Sequence, residues 1–276
     1  MDEATAPGLR IAVLVKHVPD AQFDRHIDAE DLTTVRSESI LSELDEYALE
    51  AALQLVEARG GSAAGHRVTA LTMGPAAAVG AVKKSLQIGA DDGVHLSDDA
   101  LHGSDASATS RALAALVEHE GPFDLVLTGM ASTDGETSIV PAQLAERLDL
   151  PQVTFAASLE LGGGANEGWT LTARRDNDTF AETIEADLPA LVSVTDQINE
   201  PRYPNFKGIM AAKKKQIRVV SLADLGLPPE DVGAAGSWTS VEDAAPRPPR
   251  SQGVVITDDG DAGIRLVDFL AGQKLL

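Results

Sequence analysis

The sequence predicts an α/β fold: a Rossmann-like, doubly wound and mostly parallel sheet that carries an antiparallel hairpin region and a C-terminal arm. Short apolar runs and segments of helical periodicity alternate through most of the 276 residues, as they do in parallel sheets covered by helices. A loop of small and polar residues separates one buried strand from the next helix. After that helix the pattern changes to short segments of alternating polarity, which indicates antiparallel strands.

The expected strands are short and rich in Val, Ile and Leu, as strands buried on both faces are. They are Ile11 to Val15, Val68 to Thr72, Gly93 to Leu96, Asp124 to Leu127 and Leu191 to Val194. The expected helices have apolar residues spaced by three and four, and they are Leu44 to Glu57, Ala76 to Ile88, Ser104 to Glu118 and Val140 to Leu148. If the strands are parallel neighbours, Leu14, Met73 and the loop after Thr128 lie on the ligand-binding edge of the sheet.

The loop that follows Leu127 has the composition of a nucleotide cradle, because nearly all of its residues are small, polar or glycine. Pro141 is tolerated only in the first turn of a helix, so the helix should not begin much before Ser138, a good N-cap residue. The amides of Ser138, Ile139 and the residues before them are then free to bind a phosphate, helped by the helix dipole. An ordinary N-cap after a strand is the alternative reading.

Asp134 and Glu136 lie in the same loop. They could in principle serve as a base or a magnesium ligand. We favour a role in capping loop amides or binding ribose hydroxyls, because a carboxylate beside a phosphate costs Coulomb energy unless a cation intervenes.

Two segments depart from the alternating pattern. Between Val153 and Leu188, alternating polarity around a glycine-rich turn at Gly162 to Gly164 predicts antiparallel hairpins. From Leu225 onward Pro, Gly and Ala accumulate in a stretch that cannot form a packed core alone. We therefore expect a nucleotide-binding α/β domain over residues 1–225, a linker arm over 226–261, and a helix over 262–276 that packs on its own domain or on another chain.

The composition excludes several classes of partner. The formal net charge of -21 argues against nucleic acid and acidic membrane surfaces, because those partners need a basic face. The absence of cysteine excludes disulfides, thiolate metal sites and a thiol nucleophile. No basic leader and no long apolar run occur, so we expect a cytoplasmic protein without direct membrane insertion.

Familiar catalytic motifs are missing. The sequence has no G-x-G-x-x-G, no G-x-x-x-x-G-K-[ST] and no G-x-S-x-G run, which argues against a nicotinamide dehydrogenase, a P-loop NTPase and an α/β hydrolase. The six histidines are scattered without a metal-binding spacing. We expect no catalytic residue and no metal ligand in this chain.

A basic, proline-punctuated segment stands out against the acidic background. It combines large apolar residues with three consecutive lysines, namely Tyr203, Phe206, Ile209, Met210, Lys213, Lys214 and Lys215. Such a loop can present an apolar anchor to a partner while its lysines steer acidic docking surfaces. The alternative is a buried loop whose lysines are merely solvated.

Five segments together resemble the beta subunit of electron transfer flavoprotein: LRIAVLVKHVPD, LDEYALEAALQL, LTMGPAAAVGAVKKSLQIGADDGVHLSD, TGMASTDGETSIVPAQLAERLDLPQVTFA and INEPRYPNFKGIMAAKKKQI. The resemblance runs from Leu9 to about Val220 and implies the adenine nucleotide alpha hydrolase-like variant of the Rossmann-like fold. It implies a heterodimer whose alpha subunit holds most of an FAD, while the beta subunit binds AMP structurally. It also implies electron transfer from acyl-CoA and related dehydrogenases, as in fatty acid beta-oxidation, to a membrane quinone oxidoreductase.

The resemblance implies site residues at the positions of this chain that match the family's motifs. The AMP contacts fall on Leu14, Ser42, Glu43, Leu44, Asp45, Met73, Gly129, Met130, Ala131, Ser132, Thr133, Asp134, Gly135, Glu136, Thr137, Ser138, Ile139 and Val140. The partner-recognition loop falls on residues 199–215 with the apolar and lysine residues named above. The contact with the mobile flavin domain falls on Arg175 and Asp176, and the residues flanking the flavin ring match Ala21 and Leu44.

This chain departs from the family pattern in places. Phe206 stands where many relatives have leucine, and Asp176 is one methylene shorter than the usual glutamate. The string TDGETSIVP shares Asp134, Gly135 and Thr137 with a DGDTAQVGP-like string that houses a second FAD in bifurcating members. We favour AMP, and a bifurcating-type subunit with a second FAD is the alternative.

Two further alternatives belong to other classes. A stand-alone adenine-nucleotide sensor of the universal-stress type shares the strand, cradle and helix, but it needs no arm after Leu225. A nucleotide-dependent ligase of the related hydrolase fold needs an S-G-G-x-D-S loop after the first strand, where this chain has KHVPD.

Overall fold

The structure is a computed structural model that describes residues 8–164, 167–245, 248–249 and 253–276. The chain divides into two compact units, one that ends at Glu242 and one from Asp243 to Leu276. None of the helices in the described ranges combines the length and apolar character needed to cross a membrane.

The strands in chain order are β1 Arg10–Leu14, β2 His17–Pro19, β3 Ser39–Leu41, β4 Arg67–Met73, β5 Asp92–Leu96, β6 Leu125–Gly129, β7 Gln152–Ala156, β8 Ser158–Gly164, β9 Gly168–Asp176, β10 Ala181–Asp187, β11 Ala190–Val194 and β12 Ile217–Val220. The helices are α1 Glu43–Glu57, α2 Val79–Ile88, α3 Ala106–Glu120, α4 Val140–Arg147, α5 Phe206–Ala212, α6 Leu222–Leu225, α7 Gly233–Gly236 and α8 Ala262–Gly272. Single 3₁₀ turns lie at Gly61–Ala64, Ala76–Ala78, Asp99–Leu101 and Pro229–Asp231.

Seven strands form one parallel sheet in the order β12-β5-β4-β1-β6-β11-β7. Successive side chains of β1 point to opposite faces, so Ile11 and Val13 join one core cluster with Leu49 of α1, and Ala12 joins the other with Leu116 of α3. Helices α1 and α2 contribute to the first cluster, and α3 and α4 contribute to the second. The predicted doubly wound α/β architecture is confirmed.

A second sheet is antiparallel and has the order β10-β9-β8, which confirms the expected hairpins. The expected start of this region at Val153 is wrong, because Val153 lies in β7, which pairs in parallel with β11. Val153 and Ala156 are buried in the main core, and this burial keeps β7 in the parallel sheet. The turn expected at Gly162 to Gly164 is wrong, because these glycines belong to β8 and pair with β9.

The first unit extends past residue 225, where the arm was expected to begin. Leu227 and Val232 are buried in the second core cluster. Asp105 accepts hydrogen bonds from the amides of Trp238 and Thr239 at 2.8 and 2.9 Å. Residues 226–242 therefore belong to the α/β unit, although their composition is that of a linker. The burial of Leu227 and Val232 and the hydrogen bonds to Asp105 hold them there.

The register of the parallel strands positions the candidate site. Leu14 pairs with Leu71 of β4, and Val13 pairs with Leu127 of β6. The carboxyl ends of these three strands therefore meet at one edge, as predicted for Leu14, Met73 and the loop after Thr128.

Candidate functional site

The cradle loop, residues 129–139, leaves β6 in direct contact with the first turn of α1. A Cβ atom on Gly129 would lie 2.7 Å from Asp45 Oδ1 and 2.8 Å from the Leu44 carbonyl oxygen. Only glycine permits this approach of two backbones. The close contact brings Ser42 to Asp45 beside the start of the cradle loop.

Asp45 is a buried carboxyl at this junction. Its Oδ2 accepts a hydrogen bond from the Lys16 amide at 2.7 Å. Burial raises the pKa of Asp45 to about 7, although the amides of Lys16 and Gly129 favour the charged form. The neighbouring Ser42 is fully buried, and within the described residues its Oγ has no hydrogen-bond partner. A buried polar atom of this kind is suited to a ligand.

Asp134 anchors the middle of the cradle loop through two cations. Its Oδ1 lies 2.9 Å from Lys16 Nζ, and its Oδ2 lies 2.7 Å from an Arg36 guanidinium nitrogen. Burial by itself would raise the pKa of Asp134, but Lys16 and Arg36 outweigh it and lower the pKa to about 2. Its side chain is 3% exposed, so the carboxylate holds the loop in place and is not available to a ligand in the site.

Other contacts hold the same part of the loop. Lys16 Nζ also donates to Ser132 Oγ at 3.3 Å, and Arg25 donates to the Thr133 carbonyl at 2.6 Å. Arg25 and Arg36 come from the excursion between β2 and β3, residues 20–38, so three cations from the first 36 residues converge on a loop more than 90 positions later. Sequence reasoning missed these three residues; the one available signal was the position of Lys16 directly after the first strand.

The last part of the cradle loop has unusual backbone geometry. Glu136 and Ser138 have φ values of 51° and 53°, which is the left-handed region that non-glycine residues seldom adopt. In the described ranges the amides of Thr137, Ser138 and Ile139 have no hydrogen-bond acceptor. Successive amides in alternating left- and right-handed residues form an anion-binding concavity.

The expected N-cap at Ser138 is wrong. The helix α4 begins at Val140, Ile139 occupies the N-cap position, and no side chain caps this end. Ser138 lies one residue before the N-cap position and has a positive φ, and its hydroxyl does not cap the first turn. The prediction that Pro141 keeps the helix from starting early is confirmed, since Pro141 lies in the first turn.

The remaining predicted cradle residues divide by exposure. Leu14 and Asp45 are buried, while Met73 is partly buried at the end of β4 and packs on the second core cluster. Those partly exposed at the site are Leu44, Met130, Ala131, Ser132, Thr133, Ser138 and Val140, and those exposed are Glu43, Gly135, Glu136, Thr137 and Ile139. Ala21, expected beside a flavin ring, is exposed on the excursion.

The docking segment, residues 201–215, exposes its aromatic side chains. Tyr203 is 90% and Phe206 79% exposed, and Met210 is 41% exposed. Asn205 caps α5 by accepting from the Gly208 amide at 2.8 Å, so Phe206 stands at the first position of this short helix. These exposures favour the anchor interpretation over a buried loop.

The three lysines of the docking segment differ in their exposure to solvent. Lys213 and Lys214 are exposed. Lys215 is partly buried, and its Nζ donates to the Ala90 carbonyl oxygen at 2.5 Å. Ile209 is also only partly exposed. Lys215 and Ile209 therefore attach the segment to the rest of the unit and are less available to a partner.

Arg175 and Asp176 both have partners within the chain. Arg175 lies 2.7 Å from Glu182 across β9 and β10, and Asp176 lies 2.8 Å from Arg174. Asp176 keeps a side-chain exposure of 32%. Its contact with a flavin domain stays a prediction.

The parallel sheet with helices on both faces and an amide-lined loop at its carboxyl edge defines a Rossmann-like α/β protein. Residues 31–225 match the family described as "Electron transfer flavoprotein domain". The chain belongs to the electron transfer flavoprotein family and aligns with its beta subunits, which implies an alpha-subunit partner.

Curated relatives cover nearly the whole chain. The electron transfer flavoprotein subunit beta of Mycobacterium leprae (strain TN) is 44% identical over 269 residues, 96% of this chain and 99% of the relative. The subunit beta of Megasphaera elsdenii is 34% identical over 280 residues, 97% of this chain and 100% of the relative. The caffeyl-CoA reductase-Etf complex subunit CarD of Acetobacterium woodii is 36% identical over 251 residues, 90% of this chain and 92% of the relative.

Proposed function

We propose that this chain is the beta subunit of a heterodimeric electron transfer flavoprotein that binds AMP structurally in the cradle loop. It helps to hold the FAD of the alpha subunit. The heterodimer carries electrons from acyl-CoA and related dehydrogenases to a membrane quinone oxidoreductase. The chain contributes no catalytic residue of its own.

The observation that carries the AMP assignment is the set of amides at Thr137, Ser138 and Ile139, which lie without acceptors before α4. Amides at the start of a helix bind phosphate through hydrogen bonds and the helix dipole. Asp134 does not repel a phosphate there, because Lys16 and Arg36 neutralise its charge.

The rest of the site fits an adenine mononucleotide. Ser42 Oγ is a buried hydroxyl without a partner in the described residues, and it lies beside the junction of Gly129 with α1. Leu14 and Met73 supply apolar surface at the ends of β1 and β4. A bound nucleotide ties the cradle loop to α1 and so stiffens the part of the sheet that supports the flavin domain.

The flavin, when bound in the heterodimer, supplies the electron-transfer chemistry, and the protein supplies position and electrostatics. Ala21 is exposed and Leu44 is partly exposed, and both would flank the flavin. The docking segment offers Tyr203 and Phe206 to a dehydrogenase, and Lys213 and Lys214 favour an acidic partner surface. The name of the Acetobacterium woodii relative, a caffeyl-CoA reductase-Etf complex subunit, supports a partner that acts on CoA thioesters.

The experiment that tests this proposal is nucleotide analysis of the heterodimer. The chain is co-expressed with its alpha subunit, the complex is denatured, and the released nucleotides are separated and quantified. We expect one FAD and one AMP per heterodimer. Two FAD and no AMP would place the chain in the bifurcating class, and a monomer that retains ATP would favour the stand-alone sensor.

A second measurement tests the electron-transfer role. An acyl-CoA dehydrogenase with its substrate should bleach the flavin of the heterodimer, and an added quinone oxidoreductase together with excess quinone, which takes up the electrons, should restore it. A flavin that stays oxidised with every acyl-CoA dehydrogenase tested would contradict the assigned donors.

A further inference from the structure

Arg202 connects the start of the docking segment to helix α1. Its guanidinium donates to both carboxylate oxygens of Glu50, at 2.7 and 3.0 Å, and to both of Glu57, at 2.6 and 2.8 Å. Its backbone amide also donates to Glu50 at 3.3 Å. The planar guanidinium suits paired contacts with carboxylates in a way that an ammonium does not.

The two glutamates differ in exposure. The Glu50 side chain is 5% exposed, whereas that of Glu57 is 52% exposed. Hydrogen bonds to Glu57 and Glu50 raise the pKa of Arg202 above its ordinary value, so the guanidinium stays charged. Because they are seven positions apart, the glutamates lie on one face of α1 and hold Arg202 between them.

The segment is also fixed beyond Arg202. A Cβ atom on Gly208 would lie 2.5 Å from the Gln87 carbonyl oxygen, so α5 touches the end of α2 by backbone. Lys215 Nζ donates to the Ala90 carbonyl. The backbone is therefore held at three points, while Tyr203 and Phe206 between the first two remain exposed.

We propose that Arg202 is a positioning residue that holds the docking segment in its partner-binding conformation before the partner arrives. This inference rests on the proposed docking of dehydrogenases at Tyr203 and Phe206. A segment that is already ordered does not lose its conformational entropy on binding, so preorganisation raises affinity without adding a contact. Arg202 acts through Phe206 and not through the reacting flavin.

The test uses the heterodimer with an acyl-CoA dehydrogenase as electron donor. We expect Arg202→Ala to raise the KM for the dehydrogenase about tenfold with kcat unchanged, because only the binding of the partner is weakened. Hydrogen exchange of amides 203–212 in the free heterodimer should become faster. Arg202→Lys should restore only part of the affinity, since an ammonium cannot pair with both carboxylates as a guanidinium does.

Two variants separate positioning from folding. Glu57→Gln removes the charge of the exposed glutamate, leaves Glu50 paired, and should raise KM in the same direction by a smaller factor. Arg218→Ala is the matched control, because Arg218 pairs with the buried Glu120 of α3 and not with a residue of the docking segment or of α1. This control strands a buried carboxylate in the same way and should leave KM unchanged.

A double-mutant cycle decides whether Arg202 acts through Phe206. If it does, Arg202→Ala adds little to the KM of Phe206→Ala. Fully additive effects, or unchanged amide exchange in Arg202→Ala and in Glu57→Gln, would overturn the inference. If the wild-type heterodimer accepts no electrons from any dehydrogenase, the proposed function fails instead, and the exchange measurement still decides whether Arg202 orders the segment.

Discussion

Lys16 and Asp134 form an ion pair across the carboxyl edge of the sheet, with Lys16 Nζ 2.9 Å from Asp134 Oδ1. Lys16 lies just beyond β1, and Asp134 lies in the loop after β6, the neighbouring strand. The pair ties the cradle loop to the central strand and removes a negative charge from the proposed phosphate site.

Asp134→Asn should loosen the cradle loop and lower the AMP content of the purified heterodimer. The amide cannot neutralise Lys16 and Arg36, so two cations lose their partner and the loop loses its anchor. The measurement is AMP released per FAD after denaturation. Glu146→Gln is the matched control, because Glu146 is an exposed carboxylate in the following helix α4, outside the cradle loop. Equal AMP content in both variants would show that Asp134 does not order the site.

Gly129→Ala should destabilise the chain by about 1 to 3 kcal/mol, the cost of overpacking a close contact. The added methyl would lie 2.8 Å from the Leu44 carbonyl oxygen and would push β6 away from α1. Chemical unfolding measures the loss. Gly135→Ala is the control in the same loop, since its Cβ would meet only Ser132 Oγ at 3.4 Å. A Gly129→Ala variant as stable as Gly135→Ala would contradict the backbone contact.

Asp45 should make stability depend on pH. In the folded state burial raises the pKa of Asp45 to about 7, whereas the pKa of an aspartate in an unfolded chain is about 4. Between these values the folded state binds more protons than the unfolded state, so this group lowers stability as pH rises through that window, by up to about 1.4 kcal/mol per pH unit. Above about pH 7 the loss is complete and constant.

Asp45→Asn isolates this effect, because the amide has no proton to lose. Relative to wild type, the free energy of unfolding of Asp45→Asn should be higher at about pH 8 than at about pH 5. Glu43→Gln, an exposed residue in the same turn, should show no such trend. A difference between Asp45→Asn and wild type that stays constant with pH would mean that Asp45 is ionised throughout.

Phe206→Ala should weaken the docking of the electron donor. Phe206 is 79% exposed, so its removal costs little folding stability, but a fully buried aromatic anchor contributes about 2 kcal/mol or more to an interface. We expect the KM for an acyl-CoA dehydrogenase to rise with kcat preserved. Trp238→Ala removes another exposed aromatic side chain outside the docking segment and should leave KM unchanged; an equal effect of both variants would argue against a specific anchor.

The sequence by itself determined the fold class and the edge at which the site lies. Strands such as Ile11 to Val15 and helices such as Leu44 to Glu57 were predicted to within about one residue at each end, because local periodicity and local turn residues decide these elements. The meeting of Leu14, Met73 and the cradle loop also followed from the sequence, since parallel neighbouring strands end on the same side. Composition left the docking segment open between an exposed anchor and a buried loop, and the resemblance to the beta subunits pointed to Phe206 as the anchor.

Tertiary structure decided how these parts are held. Lys16 and Asp134 are 118 positions apart, and Arg202 and Glu50 are 152 apart; no local pattern relates residues at such distances. The same reason explains the errors at Ser138, at Val153 and at residue 225. Each of these features depends on which residues, distant in sequence, are available for burial or hydrogen bonding. A sequence pattern gives the local conformational propensity of a segment but does not show which residues it will contact in the fold.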